Sequence, residues 1–141
     1  MEHESRLQLL GLTTAVSHQL ELVTAQILAR TIQVTESTAR LITGAMGPGA
    51  ALGVLHTLTA RKECGSLEPA ALRSWLPLAR RANEARNRVI HSPWVERTDG
   101  TASVLAKGSM KLESRTAADL RRDVDVMNEA VRGGYDVLRQ E

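Results

Sequence analysis

Three side chains within six residues could do chemistry together: Arg86, Asn87 and His91, in the run Arg86-Asn87-Arg88-Val89-Ile90-His91-Ser92-Pro93-Trp94. A histidine titrates near neutrality and can move a proton. An arginine grips a phosphate through two parallel hydrogen bonds and offsets the negative charge that develops on it. With no metal ligand in the set, that combination suits internal phosphoester transfer in RNA. A base takes the proton of the ribose 2′-OH, the freed oxygen attacks the adjacent phosphate, and the arginine stabilises the charge that builds up. DNA lacks that hydroxyl and would not be cut by the same apparatus.

The run closes a helix. Apolar residues at Leu72, Trp75, Leu76, Ala79, Ala82 and Ile90 predict a helix from about Glu68 to Ile90, with Ser66 to Glu68 and Pro69 as its start signal. Pro93 forces Ser92 away from helical angles, so the helix ends at His91 or one residue before. At about 100° per residue the apolar stripe is centred between Trp75 and Leu76. Asn83 and Arg86 fall inside that stripe and Asn87 at its edge. A guanidinium on an apolar face is costly unless it is paired or the face opens onto a cleft. Either Arg86 is buried against a carboxylate such as Glu21, or it lines such a cleft. Arg86 and His91 point about 140° apart on a regular helix, whereas Asn87 and His91 share a face one turn apart. Spacing alone therefore assembles no catalytic pair on one helix. His91 can join Arg86 only at the frayed helix end or across an interface.

The other elements must position this helix. Leu9, Leu12, Val16, Leu20, Val23 and Ile27 repeat at three-four spacing and predict a first helix from about Ser5 to Gln33, widened by Leu10, Ala25 and Leu28. Thr35 or Ser37 can cap a short helix through Ala39, Leu41 and Ile42 that ends near Gly44. Gly47-Pro48-Gly49 marks a corner, and Pro48 can open the next helix, which carries Ala51, Leu52, Val54, Leu55 and Leu58 and ends by Gly65. From Trp94 to about Lys111 the sparse apolar residues alternate with polar ones, and Asp99-Gly100 and Lys107-Gly108 are turn signals. A small hairpin with strands near 94–98 and 101–106, or an ordered loop, is the reading of an insertion over about 94–113. Ser114 or Thr116 caps a last helix through Leu120, Val124, Met127, Val131, Tyr135 and Leu138, weakened late by Gly133-Gly134. The sum is an all-α single domain over residues 1–141: an antiparallel bundle of four to five helices with that insertion before the last.

Composition agrees with helix-on-helix packing. There is no Phe, and Trp75, Trp94 and Tyr135 are the only aromatic residues, so Leu, Val, Ile, Ala and Met must build the core. A hydrophobic share of 43% with 24% charged excludes wholesale disorder. The net charge of +2 is too balanced for bulk charge to argue nucleic-acid binding, so local clustering must carry any such case. The single cysteine, Cys64, excludes an internal disulfide and a cysteine-built metal site. The polar start Met1-Glu2-His3-Glu4-Ser5 is unlike a signal peptide, and no apolar run approaches the ~20 residues of a membrane span. The expectation is a soluble cytoplasmic protein with no cofactor, no metal and no membrane association.

Arg86-Asn87-Arg88-Val89-Ile90-His91 resembles the R-N-x-x-x-H signature of the HEPN superfamily, small helical bundles of which many are metal-independent ribonucleases in toxin–antitoxin, phage-defence and CRISPR-associated systems. The order of elements resembles that family over most of the chain, while only the motif matches residue by residue. The resemblance implies a homodimer whose two motifs face each other and form one composite site on an RNA substrate. Arg86 would bind phosphate, His91 would transfer the proton and Asn87 would orient the pair. An antitoxin or regulatory protein is a further partner it implies. The pattern departs where members silenced by a nucleotidyltransferase carry a tyrosine, since Pro93 stands there, so that kind of partner is not implied.

Weaker substrate-binding candidates surround the motif. Arg88 with Arg80, Arg81 and Arg86 gives local positive charge beside the motif that can hold an RNA backbone, while a solvated face is the plainer reading of Arg80 and Arg81. Asn83 lies inside the stripe, Glu21 is a partner for Arg86, and Trp94 either stacks on a base or covers the helix end. Arg121 and Arg122, flanked by Asp119 and Asp123, read as ordinary surface pairs; His18 either faces the site beside Glu21 or is a surface or structural residue, and His56 has no motif around it. Two alternatives to an enzyme follow: a catalytically idle HEPN-like dimer that binds a protein or nucleic acid, and a structural module in which Arg86 is only an ion-pair partner.

Overall fold

The computed structural model describes the backbone of residues 2–90, 94–96, 102–105 and 112–139, and the side chains of 7–90 and 116–139. Among the described residues there are five helices: α1 (Glu2–Ile32), α2 (Glu36–Met46), α3 (Pro48–Ala60), α4 (Pro69–Ile90) and α5 (Ala117–Arg139). Between the last two lie β1 (Trp94–Glu96), β2 (Ala102–Leu105) and β3 (Leu112–Arg115), antiparallel in the order β1-β2-β3. Trp94 stands opposite Val104, and Ser103 opposite both Val95 and Ser114. The two-strand reading of this insertion did not include a strand at 112–115.

Local chemistry explains the helix ends. The Thr35 hydroxyl accepts from the Thr38 N–H at 3.2 Å and opens α2, so Thr35 rather than Ser37 is the cap. Gly47, at φ +85°, turns the chain by 116° between α2 and α3, and Pro48 starts α3 where a missing N–H costs nothing. Thr116 opens α5 through a reciprocal box: its hydroxyl accepts from the Asp119 N–H at 3.1 Å, and the Asp119 carboxylate accepts from the Thr116 N–H at 2.9 Å. α4 begins at Pro69 and ends at Ile90, while His91, Ser92 and Pro93 lie outside the described residues.

The core is centred on α5. α1 and α4 each pack extensively on α5 and little on each other, while α3 lies against α4 and α2 against α1. α5 contributes Val124, Met127, Val131 and Val137, opposed by Val16, Leu20, Val23 and Ile27 of α1 and by Leu72, Trp75, Leu76, Ala79 and Ala82 of α4. The three helices come closest at Gly134. A side chain there would put its Cβ 2.7 Å from a Val23 methyl and 3.2 Å from the Trp75 indole nitrogen. With Gly134 bare, the Trp75 N–H reaches the Ala130 carbonyl at 2.8 Å, which satisfies the one polar atom of a buried ring. Gly133-Gly134 therefore does not end or fray α5; it lets α1 and α4 approach it.

Several expected core positions face outward. Leu12, Leu41, Ile90 and Tyr135 are exposed, at 41%, 76%, 39% and 36%, and Val89 and Val137 are buried in their neighbourhood. At the α4 end the reason is geometric: Val89 packs with Leu9 and Leu120 in a satellite cluster, which turns the adjacent Ile90 about 100° away. Among the described residues no single helix is long and apolar enough to cross a membrane.

Candidate functional site

Arg86 leaves α4 on the side facing α1. Its Nε–H donates to the Ser17 hydroxyl at 2.5 Å, and one Nη2 hydrogen goes to the Glu21 carboxylate at 2.7 Å. Ser17 and Glu21 are one turn apart on α1, so one helix face presents both acceptors. The Arg86 side chain is 13% exposed and that of Glu21 44%, so the pair runs from a buried stem to a carboxylate at the surface. A guanidinium has five N–H groups; the three not used here have no partner among the described residues.

Ser17 escaped the sequence reading, which looked for a carboxylate. Four hydroxyl residues are buried in α1: Thr13, Ser17, Thr24 and Thr31. The three threonines donate to the carbonyls of Leu9, Leu20 and Ile27, four residues back, each at 2.7 Å. Ser17 instead accepts from another helix. A buried serine one turn before Glu21 was the available signal, and only the packing of α4 gave it meaning.

The remaining candidates separate. Asn83 lies beside the first turn of α3, its amide nitrogen 3.6 Å from where a Gly49 Cβ would sit, and its buried carbonyl oxygen has no hydrogen bond among the described residues. Asn87 is half-buried. Arg88 is tied elsewhere: its Nη2 meets the Asp123 carboxylate at 3.0 Å, with side-chain exposures of 48% and 6%. Asp123 is thus a buried partner joining α5 to α4 and not part of a surface pair with Arg121 or Arg122, whereas Arg122 does pair with Asp119, at 2.5 Å. Arg80 and Arg81 are exposed. His91 and the Trp94 side chain lie outside the described residues.

Glu21 also borders a cavity of about 260 Å³ between α1 and the α2–α3 corner, lined by His18, Leu22, Arg40, Thr43 and Pro48 among others. His18 is exposed there and has no hydrogen bond to a motif residue among the described residues. Among the described residues no three His, Cys, Asp or Glu side chains converge as a metal site requires, and Cys64 is buried in the main core.

The arrangement can hold an anion. Arg86 is fixed in direction by two acceptors and has donors with no partner among the described residues, with Asn87 adjacent on the same helix end. Glu21 lowers the net charge of the site, so a phosphate must compete with it for the guanidinium. Comparison of the chain with protein-family models, with curated proteins and with solved structures gives no match.

Proposed function

We propose that this protein is a metal-independent endoribonuclease of the HEPN type, acting as a homodimer in a toxin or phage-defence setting. The observation that carries the reading is Arg86, buried along its stem, steered by Ser17 and Glu21 and with three N–H donors that have no partner among the described residues, in the R-N-x-x-x-H context. In this reading Arg86 holds the scissile phosphate, His91 takes the 2′-OH proton, and Asn87 orients the pair. Electrons of the 2′-oxygen form a new bond to phosphorus as the bond to the 5′-oxygen breaks, and the leaving oxygen takes up a proton. The products are a 2′,3′-cyclic phosphate and a 5′-hydroxyl. A second protomer completes the cleft, and the exposed Leu12 and Ile90 near this end of the bundle are apolar surface for that contact.

The test is RNA incubated with the protein in excess chelator, with fragment ends identified. Wild type is expected to give 2′,3′-cyclic phosphate ends, and His91→Ala to lose at least a hundredfold in rate, in the ~10²–10⁴ range of general acid–base catalysis. Equal cutting by wild type and His91→Ala sinks the enzyme reading and leaves the idle binding dimer.

The same ion pair favours a second reading, in which Arg86 simply pins α4 to α1. Ser17 is 3% exposed, so removing Arg86 would strip its hydroxyl of the partner shown here.

A further inference from the structure

Positive charge is concentrated on one element. α4 carries Arg73, Arg80, Arg81, Arg86 and Arg88 against the single acid Glu84, hence +4 in a chain of net charge +2, which leaves −2 for everything else. Arg86 and Arg88 are committed to Glu21 and Asp123. Arg73 and Arg80 are exposed, with no hydrogen bond or ion pair among the described residues. They stand seven positions apart on α4, so they point within about 20° of each other and lie roughly 10 Å apart along the helix.

That row flanks α3. Arg73, Arg80 and His56 of α3 line an open groove of about 370 Å³ over the apolar Ala60, Leu76 and Pro77, and among the described residues no carboxylate borders it. Seven positions beyond Arg80 the same row reaches Asn87 of the motif. Converging guanidinium groups without a counter-charge repel one another, and a polyanion relieves that repulsion. An apolar floor beneath cationic walls matches a strand that carries phosphates outside and stackable bases inside.

We infer that the α3–α4 groove holds the backbone of single-stranded RNA as it leads to Arg86 and Asn87, with Arg73 and Arg80 each on a phosphate and His56 donating to the same strand. This rests on the ribonuclease reading for what happens at the end of the track, but not for the binding itself. The probe is a fluorescent 20-nucleotide oligouridylate with 2′-O-methyl groups, which cannot undergo 2′-OH attack. Its affinity is measured against salt for wild type, Arg73→Gln/Arg80→Gln, and Arg121→Gln/Arg132→Gln on α5 as a charge-matched control; all four arginines are exposed, so folding is preserved. Each phosphate contact on a single strand contributes about 0.7 to the slope of log K against log salt. The groove variant is expected to lose about 1.4 of that slope and to bind several-fold more weakly, with the control unchanged. No binding by wild type, an unchanged slope in the groove variant, an equal loss in the control, or equally good competition by an acidic peptide would each overturn the track. Binding through Arg73 and Arg80 without any cleavage of ordinary RNA would refute the nuclease reading and leave the track standing.

Discussion

At the scale of single residues, Arg86 shows how far a helical projection reaches. Its position inside the apolar stripe was readable from the spacing of Leu72, Trp75, Leu76, Ala79 and Ala82, and so was Glu21 as an acceptor. Ser17 was not, because a serine in a long apolar helix usually bonds its own backbone, as Thr13, Thr24 and Thr31 do. The pairing of Arg88 with Asp123 was hidden for a related reason: nothing in the local sequence says that Asp123 is buried and turned toward α4. Thermal or urea unfolding of Arg86→Ala weighs the pinning role. Losing the bonds to Ser17 and Glu21 is expected to cost about 1–3 kcal/mol, below the value for a fully buried pair because Glu21 is re-solvated at the surface. A change below about 0.5 kcal/mol removes the structural reading and leaves Arg86 free for phosphate.

At the scale of elements, caps and breaks were local and therefore legible: Pro48 and Thr116 act where the sequence put them. The face of each helix end was less so. Ile90 was assigned to the core and Val89 was not, because adjacent positions differ by about 100° and a stripe drifts over six turns. Gly133-Gly134 was read as a weakness by propensity alone, but tertiary contact decides its role. Gly134→Ala gains up to about 1 kcal/mol of helix propensity and meets Val23 at 2.7 Å. Overpacking of that kind costs about 1–3 kcal/mol, and the Trp75 ring beside it is held by its bond to Ala130. The expected net result is a loss of about 1–2 kcal/mol, read from a urea midpoint; an increase in stability would show that α1 and α4 are not held against α5 as described.

At the scale of the whole molecule, α5 is the shared partner of α1 and α4, and α1 meets α4 mainly through a few side chains that include Arg86. The proposed activity is tied to a second copy because the resemblance of the motif implies a site shared between two chains. Sedimentation at micromolar concentration is expected to give a dimer, and Leu12→Lys with Ile90→Lys to shift it toward monomer, since a charge in an apolar interface must be desolvated without a partner. A monomer at every concentration would sink the composite site. Helical class, element order, most caps and the intrusion of Asn83 and Arg86 on the α4 stripe followed from the sequence alone, because periodicity and capping act over three to four residues. The partners Ser17 and Asp123, the close approach at Gly134 and the groove that joins His56 to Arg73 and Arg80 were decided only by tertiary structure. Each depends on which helix lies beside which, and that is set by the fit of whole apolar faces and not by any local run of residues.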